Sequence, residues 1–377
     1  LKFFSYQMIT KYFQEILIQE NYTKPYPIQE AVIPAVLSNH DILGIAQTGS
    51  GKTAGYVLPL LTSLKGVKTS SPRHISVLVL VPTRELAIQV DTVFRQFGQV
   101  LPFKMKSMAI YGGTSKNVQM MRLSNAKILI ATPGRLLDLL SSNSVQLSEV
   151  KTLVLDEADK ILNLGFKKEM DEIFSFLPKK RQNLLFSATL SPNIENIQQV
   201  LLNDPLVIQI EPEKESIELI KQIAYSVSDE QKGPLLRHLI KSKNIEQVLV
   251  FTSSVHQADV VTIKLNKHDI QARAIHGKKS QGFRVETLGL FKAGKLRVLV
   301  ATDLLARGVD IQTLPVVINY ELPRSPKDYV HRIGRTGRAK NHGEAISFIS
   351  EDAEHHFKII QKKMKKTVEV IPAHEIL

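Results

Sequence analysis

Short apolar runs alternate along the chain with longer segments in which apolar residues recur at helical spacing. A short apolar run that ends in polar residues is typical of a buried parallel strand. Strands are predicted at 41–45, 76–81, 106–110, 127–131, 153–155 and 182–186, and again at 223–227, 248–251, 272–275, 298–301, 316–319 and 345–349. Helices are predicted between them, so the pattern indicates an α/β fold made of two successive units.

The pattern predicts two domains joined by a short linker. We expect the first domain at 1–208 and the second at 218–377, because the alternation of strands and helices is interrupted between them. The interrupting segment, 209–217, is polar and acidic and carries a proline, which is typical of a linker. Ahead of the first strand, apolar residues at helical spacing predict helices as far as about Leu37.

A group of carboxylates, Asp156-Glu157-Ala158-Asp159, ends the apolar run 153–155 abruptly. These side chains should emerge at the carboxyl end of a parallel strand, where open α/β sheets bind ligands. Two adjacent acids there can divide the work, since one can hold Mg²⁺ while the other orients or deprotonates a water. The alternative is that the acids only cap the next helix.

A phosphate-binding loop is predicted between the strand 41–45 and the next helix. Its sequence is Ala46-Gln47-Thr48-Gly49-Ser50-Gly51-Lys52-Thr53. The two glycines let backbone N–H groups approach phosphates closely. Lys52 can reach the β- and γ-phosphates, and the Thr53 hydroxyl can bind Mg²⁺. Ala46 departs from the general pattern, which begins with Gly, but a purely structural glycine turn would not explain the Lys-Thr pair.

Three further strand ends in the first half carry threonine, glycine or arginine. They are Pro82 to Ala87, Gly112-Gly113 and Thr132 to Arg135. Their N–H groups, hydroxyls and guanidinium groups suit contacts to a phosphate backbone. Each segment alone is more often a helix cap, but together on one sheet edge they predict a groove.

The second half has no phosphate loop of its own and carries an arginine repeat instead. Arg332, Arg335 and Arg338 recur every three residues, interleaved with glycines and Thr336. Crowded guanidinium groups are unfavourable unless an anion neutralises them, so the repeat predicts an anionic ligand. Other strand ends of this half carry Thr252, Gln281, Arg284, Thr302, Arg307, Gly308 and Asp310.

Charge and composition favour a polyanionic partner. The 377-residue chain has a net charge of +13 and a pI of about 9.6. The alternative is a charge that only promotes solubility. Cysteine is absent, which excludes disulfides and cysteine metal sites, and no apolar run approaches the roughly 18 residues of a membrane span. The chain begins with Leu1 and not Met, so we expect a fragment.

The ordered motifs resemble those of the DEAD-box ATP-dependent RNA helicases over nearly the whole chain. Gln29 with the upstream aromatic Phe4 resembles the Q motif, and the phosphate loop, the carboxylate group and Ser187-Ala188-Thr189 resemble motifs I, II and III. The strand-end segments of the first half resemble its RNA motifs, and 250–253, Gln281 with Arg284, 301–311 and 331–338 resemble motifs IV to VI. The sequence of the second half most resembles that of the bacterial RhlE-type subgroup.

The resemblance implies two tandem RecA-like domains, each a mainly parallel sheet flanked by helices, with ATP and Mg²⁺ as cofactors. The implied catalytic residues are Glu157, Asp156, Lys52, Arg335, Arg338 and His331. The implied nucleotide-binding residues are Phe4, Tyr22, Gln29, Thr48, Gly49, Ser50, Gly51, Lys52, Thr53 and Asp310, with Thr53 and Asp156 holding Mg²⁺ largely through water. The implied RNA-binding residues are Pro82, Thr83, Arg84, Gly113, Thr132, Gly134, Arg135, Thr252, Gln281, Arg284, Thr302, Arg307 and Gly308. Asp159, Ser187, Ala188 and Thr189 are implied to couple the two activities.

The resemblance further implies that Glu157 activates the attacking water and that Arg335 and Arg338 act as arginine fingers. RNA would be bound by its backbone, with little sequence preference. The implied protein partners are ribosome-assembly or RNA-decay proteins. The resemblance also implies that the protein is a cytoplasmic monomer that does not contact a membrane. Two alternatives stay open, an ATP-gated RNA clamp that unwinds little and a DNA translocase.

Overall fold

The computed structural model describes residues 10–20, 22, 24–47, 49–67, 70–210, 220–303, 314–337 and 343–377. The chain divides into two compact units, Leu1–Pro212 and Glu213–Leu377. The segment predicted as a linker overlaps the first unit, because Gln209 is the last residue of a strand and Ile210 N donates to the Ile45 carbonyl at 2.9 Å. The rest of that segment, 211–217, lies outside the described residues.

The first unit is a parallel sheet flanked by helices. Its described strands are β1 (Ile42–Ile45), β2 (Val77–Leu80), β3 (Ser107–Ile110), β4 (Ile128–Ala131), β5 (Thr152–Leu155), β6 (Gln182–Ser187) and β7 (Leu206–Gln209). The helices are α1 (Thr10–Gln19), α2 (Pro27–Leu37), α3 (Lys52–Ser63), α4 (Arg84–Gly98), α5 (Lys116–Leu123), α6 (Pro133–Ser141), α7 (Ala158–Asn163), α8 (Lys167–Ser175) and α9 (Pro192–Leu201). The strand order is β3-β4-β2-β5-β6-β1-β7, with every described pair parallel.

The second unit repeats this topology. Its described strands are β8 (Ile220–Ser226), β9 (Val248–Thr252), β10 (Ala272–Ile275), β11 (Val298–Thr302), β12 (Val316–Asn319), β13 (Gly343–Ile349) and β14 (Glu369–Pro372). The helices are α10 (Asp229–Ser242), α11 (Val255–Asn266), α12 (Gln281–Lys292), α13 (Pro326–Ile333) and α14 (Glu354–Met364). The parallel order β10-β11-β9-β12-β13-β8-β14 equals that of the first sheet when counting starts at β8.

Side chains that point alternately to the two faces of each sheet form an apolar core on both faces. In β2, Val77 and Val79 join one apolar cluster, while Leu78 and Leu80 join the cluster on the opposite face. Successive side chains of a strand point to opposite faces, so a strand covered on both faces must be apolar throughout. This is why the central strands were recognisable as uninterrupted apolar runs, and the predicted α/β fold class is confirmed.

Two strands were not predicted, and both lie at a sheet edge. In β7 the side chains of Leu206 and Val207 are largely exposed, and in β14 Glu369 and Val370 are exposed. An edge strand packs on one neighbour and is partly solvated. The apolar runs of these two strands are short, 206–208 in β7 and 370–371 in β14, and were not recognised as strands. None of the described helices is long and apolar enough to cross a membrane.

Candidate active site

Three neighbouring strands of the first unit deliver the predicted chemistry to one edge of the sheet. The order β5-β6-β1 places the strands beside each other, and all three run parallel. The phosphate loop follows β1, the carboxylate group follows β5, and Ser187 ends β6. The Ala46 N–H donates to the Ser187 carbonyl at 3.0 Å, which ties the start of the loop to the end of β6.

The phosphate loop depends on left-handed backbone at its glycines. Gly49 has a φ of 89° and Gly51 a φ of 86°, a region that disfavours residues with a Cβ. Gly51 also lies against the helix α2 that precedes β1. A Cβ added to Gly51 would lie 2.6 Å from Gln29 Nε2 and 2.9 Å from Tyr26 Cδ2. Two features therefore favour glycine at position 51, the positive φ and the close packing against Gln29 and Tyr26.

Gln29 connects the N-terminal helices to this loop. Its side chain is buried, its Nε2 donates to the Gly51 carbonyl at 3.0 Å, and its Oε1 accepts from the Tyr26 N–H at 3.0 Å. The prolines that flank Tyr26 force an extended turn ahead of α2. The turn thereby sets the position of Gln29 against the loop.

Lys52 is a buried cation at the start of α3. Its side chain is 6% exposed, and its ammonium group donates to the Ala46 carbonyl. Burial lowers the pKa of Lys52, whereas the carboxylates of Asp156, Glu157 and Asp159 act in the opposite direction. The ammonium group is thus held inside its own loop, facing three acids.

Asp156 is a buried carboxylate with a specific donor. Its side chain is 2% exposed, and the Tyr56 hydroxyl donates to its Oδ2 at 2.9 Å. Burial raises the pKa of Asp156, while the nearby Lys52 charge lowers it. Burial likewise raises the pKa of Tyr56, and the Asp156 charge adds to that effect.

Glu157 has an unusual backbone for a residue with a side chain. Its φ of 53° and ψ of 45° lie in the left-handed region, and it is the residue immediately before α7. Its side chain is buried, and its Oε1 lies 2.7 Å from Lys160 Nζ. A strained residue at the carboxyl end of a strand is a feature that clusters at functional sites.

Asp159 joins the carboxylate group to the turn after β6. The Thr189 hydroxyl donates to Asp159 Oδ2 at 3.3 Å. Within that turn the Ser187 hydroxyl donates to the Thr189 carbonyl at 2.8 Å and accepts from the Thr189 N–H at 3.3 Å. The half-buried Ala188 lies between them. The coupling residues predicted in the first unit therefore form one hydrogen-bonded group.

Arg84 and Gly113 lie in close contact at another strand end. A Cβ added to Gly113 would lie 2.0 Å from Arg84 Nη1, and Gly113 has a φ of 78°. Thr83 caps α4, since its hydroxyl accepts from the Leu86 N–H at 3.3 Å. Thr83 therefore acts as a helix cap. The half-buried Arg84 side chain packs against the backbone of Gly113, which has no side chain.

Arg135 is held by the loop that follows β3. Its Nη1 donates to Gln119 Oε1 and its Nη2 to the Thr114 carbonyl, both at 3.0 Å. Its side chain is only 9% exposed. By contrast, a Cβ added to the adjacent Gly134 would meet nothing within 4 Å. Pro82 and Thr132 are both buried. Arg135 thus orders its neighbours and presents little surface.

The strand ends of the second unit bring Thr252 and Thr302 onto adjacent strands. They are paired residues of β9 and β11. Thr252 is buried and its hydroxyl donates to the Ser254 carbonyl at 3.3 Å. The following Ser253 donates through both its N–H and its hydroxyl to Glu321 Oε2, at 2.7 and 2.8 Å. This edge is therefore ordered by polar contacts within the unit.

Gln281 and Arg284 face inward from the first turn of α12. Their side chains are 8% and 4% exposed. Within the part of the chain that the structure describes, both amide atoms of Gln281 are buried with no hydrogen-bond partner. Buried amides without partners are rare, so Gln281 is a candidate for ligand contact.

The arginine repeat is not one cluster. Arg332 is 2% exposed and turns into the unit, where its Nε and Nη2 donate to Asp303 Oδ1 and Oδ2 at 2.6 and 2.8 Å. Its Nη1 donates to Asn319 Oδ1 at 3.1 Å. The expectation that a ligand anion neutralises Arg332 is wrong, because Asp303 does so. Arg335 is 5% exposed and His331 is half-buried.

Six predicted site residues cannot be described, and Tyr22 packs against the apolar core. Phe4, Thr48, Arg307, Gly308, Asp310 and Arg338 lie outside the described residues. Tyr22 is half-buried, and its ring meets the ring of Phe97 edge-on with centroids 6.2 Å apart. That contact belongs to the apolar core of the first unit.

The donors of this site suit Mg²⁺ better than a metal held by many side chains. Across the described ranges, no group of three His, Cys, Asp or Glu residues could hold a metal ion. Thr53 and Asp156 offer a hydroxyl and a carboxylate, the hard oxygen donors that Mg²⁺ prefers. A site with so few protein ligands fits an ion that keeps its waters and shares a phosphate ligand.

Sequence reasoning missed Tyr56, Lys160, Gln119 and Asp303. Tyr56 had a usable signal, since it lies four residues after Lys52 and therefore on the same side of α3. Lys160 also had a signal, since it lies three residues after Glu157. Gln119 and Asp303 have partners far away in the sequence, which a linear pattern does not reveal.

Comparison with known families divides the chain in two. Residues 26–197 match the DEAD/DEAH box helicase family, and residues 231–340 match the helicase conserved C-terminal domain. The first match contains the phosphate loop and the carboxylate group. The second contains Arg332 and Arg335.

Curated relatives match over nearly the whole chain. The ATP-dependent RNA helicase CshA of Listeria monocytogenes is 37% identical over 348 residues, 92% of this chain and 66% of that protein. The ATP-dependent rRNA helicase RRP3 of Gibberella zeae is 39% identical over 93% of this chain and 71% of its own length. The DEAD-box ATP-dependent RNA helicase CshA of Bacillus subtilis is 38% identical over 91% of this chain and 68% of its own length.

Solved structures agree with the fold. The Saccharomyces cerevisiae protein Dbp5 bound to RNA and ADP BeF3 is 28% identical, with a TM-score of 0.83 over 99% of this chain and 96% of that one. A DEAD box protein from the hyperthermophile Methanococcus jannaschii is 35% identical, with a TM-score of 0.54 over 98% of both chains.

Proposed function

We propose that this chain, which belongs to the DEAD-box family of ATP-dependent RNA helicases, hydrolyses ATP in response to RNA and opens short RNA duplexes or remodels RNA–protein complexes. The observation that carries the proposal is the convergence of three motifs at β1, β5 and β6. There the buried Lys52 lies beside the buried carboxylate group on one sheet edge, and hydrogen bonds join Ala46 to Ser187 and Thr189 to Asp159.

The phosphate loop binds the ATP phosphates in this proposal. The N–H groups from Gly49 to Thr53 cradle the phosphates, and Lys52 moves from the Ala46 carbonyl to the phosphate oxygens. Gln29 reads the adenine edge, since its amide can donate and accept. The other nucleotide contacts assigned here are Phe4, Tyr22, Thr48, Ser50 and Asp310.

Thr53 and Asp156 hold Mg²⁺, largely through water. These two residues would hold the cation, which would supply positive charge against the charge that develops during phosphoryl transfer. Asp156 supplies a charge that is already desolvated, so its attraction for a cation is stronger than in water. Thr53 supplies a neutral oxygen next to Lys52.

Glu157 orients the attacking water and accepts its proton. Its left-handed backbone and buried side chain hold the carboxylate in one orientation beside Lys160. Arg335 and Arg338 act as arginine fingers on the transferred phosphate, and His331 assists them. Asp159 transmits the state of this site to Ser187, Ala188 and Thr189 through the Thr189 hydroxyl.

RNA binds through its backbone to strand-end segments of both units. The contacts assigned in the first unit are Pro82, Thr83, Arg84, Gly113, Thr132 and Gly134. Those in the second are Thr252, Gln281, Arg284, Thr302, Arg307 and Gly308. Arg135 has a positioning role, because it holds Gln119 and the Thr114 carbonyl. Backbone contacts carry little sequence information, so sequence preference is weak.

The subgroup, the location and the partners are further proposals. We place the chain with the RhlE-type subgroup and assign it a cytoplasmic, monomeric state with ribosome-assembly or RNA-decay proteins as partners. The net charge of +13 supports a polyanionic partner and repels a second copy of the chain.

An ATPase assay with and without RNA tests the proposal. We expect RNA to stimulate turnover, single-stranded DNA of equal length to stimulate far less, and Lys52→Ala to abolish turnover. Strand displacement on a short RNA duplex then separates a helicase from an ATP-gated clamp. Stimulation by RNA without displacement would identify a clamp, and a Lys52→Ala chain as active as the parent would refute the assigned site.

A further inference from the structure

Tyr56 has its ring in the core and its hydroxyl at the site. The side chain is fully buried, and its ring packs against Phe94 and Phe186 with centroid distances of 6.5 and 5.4 Å. The hydroxyl donates to Asp156 Oδ2 at 2.9 Å. A ring enclosed on these sides cannot swing away, so its hydroxyl is a fixed donor.

A second site residue lies on the same side of the helix. Thr53 precedes Tyr56 by three residues on α3, so the two side chains are neighbours on one face. The Tyr56 hydroxyl donates to Asp156, so one of the two residues assigned to Mg²⁺ is its hydrogen-bond partner.

We propose that Tyr56 is a positioning residue for the magnesium site, whose hydroxyl orients the Asp156 carboxylate for the cation and its waters. This inference rests on the proposed function. Hydrogen bonds behind a metal ligand fix its orientation, and their loss typically weakens metal binding about 10–100-fold. The hydrogen bond to Oδ2 leaves the remaining lone pairs of the carboxylate for the cation or its waters.

Packing alone does not explain a tyrosine at this position. A phenylalanine would fill the same space between Phe94 and Phe186 without bringing a hydroxyl into the interior. Burying a hydroxyl is unfavourable unless it finds a partner. The partner of this hydroxyl is Asp156, one of the two assigned ligands, which points to a role in the site.

Magnesium titration of nucleotide binding tests this role without relying on turnover. The full chain and its Tyr56→Phe variant are titrated with Mg²⁺ in the presence of a fluorescent ATP analogue. Because the cation is held largely through water, we expect the low end of the range, a rise of about tenfold in the Mg²⁺ midpoint. In EDTA, the affinity for the analogue should agree within about twofold between the two proteins.

Tyr329→Phe is the matched control. Tyr329 is also fully buried, and its hydroxyl lies 3.1 Å from Ser347 Oγ in the second unit. Its loss should leave the Mg²⁺ midpoint unchanged. In the Asp156→Asn background, Tyr56→Phe should shift the midpoint no further, because the hydroxyl acts through that carboxylate.

Each outcome decides between the claims. A parent chain whose nucleotide affinity ignores Mg²⁺ would refute the magnesium site of the proposed function. If the parent responds to Mg²⁺, an equal midpoint in Tyr56→Phe overturns only the role of Tyr56. An equal loss of affinity with Mg²⁺ and with EDTA, or a Tyr56→Phe chain that no longer folds, would also overturn it, since the hydroxyl would then serve the structure of the unit.

Discussion

The Arg332 guanidinium forms a two-pronged ion pair with the Asp303 carboxylate, at 2.6 and 2.8 Å. The guanidinium also lies 4.9 Å from the centroid of the Phe251 ring and donates to Asn319. These contacts join the end of β11, the strands β9 and β12, and the helix α13. The first arginine of the repeat therefore stabilises the second unit and is already neutralised.

We predict that Arg332→Ala destabilises the chain by about 3 kcal/mol, because removing one partner of a buried pair leaves the other uncompensated. Asp303 is 29% exposed, which keeps the effect at the low end of the usual range. Arg332→Lys should recover only part of the loss, since an ammonium group cannot reproduce the planar fork. Denaturant unfolding measures both, with the exposed Arg324→Ala as control. An unfolding midpoint unchanged by Arg332→Ala would contradict the structural role.

Gly113→Ala should weaken RNA binding by displacing Arg84, whose guanidinium occupies the space that the new Cβ requires. Gly165→Ala is the control, because Gly165 has a similar positive φ of 86° but open space around it. Both changes should reduce stability by about 1–2 kcal/mol through backbone strain. RNA affinity, measured by fluorescence anisotropy below both unfolding transitions, should fall only for Gly113→Ala. Equal affinities in the two variants would separate Arg84 from the RNA surface.

The salt dependence of RNA binding should distinguish Arg84 from Arg135. A contact to a phosphate releases counterions, so its loss flattens the slope of log affinity against log salt by about one. Arg84→Ala should show that change. Arg135→Ala should lower affinity at every salt concentration with little change in slope, because its guanidinium is engaged by Thr114 and Gln119. A full unit of change for Arg135→Ala would make it a direct phosphate contact.

Glu157→Gln should retain ATP and RNA binding while turnover falls about 10²–10⁴-fold, the usual contribution of a general base. The amide keeps the size of the side chain but cannot accept the proton. Single-turnover hydrolysis measures the chemical step, and RNA dissociation in ATP should become slow. The exposed Glu172→Gln on α8 is the control and should match the parent. Rapid RNA release from Glu157→Gln in ATP would contradict the assigned role.

The fold was largely predictable because both sheets are covered on both faces. Strands such as β2 and β9 are buried throughout, so their sequences are apolar runs that end at a polar residue. The edge strands β7 and β14 are partly exposed, and their apolar runs, 206–208 and 370–371, are short and were not recognised. The pattern thus predicts fully buried strands more readily than partly exposed ones.

The site was predictable where spacing along one element fixes the chemistry. Lys52 and Thr53 start a helix after a strand, and the acids from Asp156 follow another, so their shared edge follows from parallel topology. The partner of Arg332 did not follow, because Asp303 comes after β11 and lies 29 residues before Arg332. A repeat of arginines also does not reveal which one turns inward. Tyr56 is an intermediate case. Helical spacing predicts that its side chain lies on the same face of α3 as Lys52, but it does not predict that the hydroxyl donates to Asp156.

The last prediction concerns the division of the catalytic residues between the two halves of the sequence. The phosphate loop belongs to the first unit and Arg335 to the second, so neither half contains every assigned group. An arginine finger contributes about 10³–10⁵-fold in rate in related phosphoryl transfer. Arg335→Ala should therefore bind ATP nearly normally and hydrolyse it that much more slowly. Arg335 is 5% exposed, so its loss could also destabilise the second unit. The unfolding midpoint of the Arg335→Ala variant must therefore first be compared with that of the parent chain.

The first unit alone provides the complementary test. Residues 1–212 contain a complete sheet with a core on each face, so we expect a folded product whose integrity circular dichroism can check. It should bind nucleotide weakly and show no RNA-stimulated turnover, because it has the loop and the carboxylates but no arginine finger. Adding the second unit in trans should not restore turnover at micromolar concentration if the covalent link supplies a high effective concentration. RNA-stimulated hydrolysis by the first unit alone would show that Arg335 and Arg338 are not catalytic.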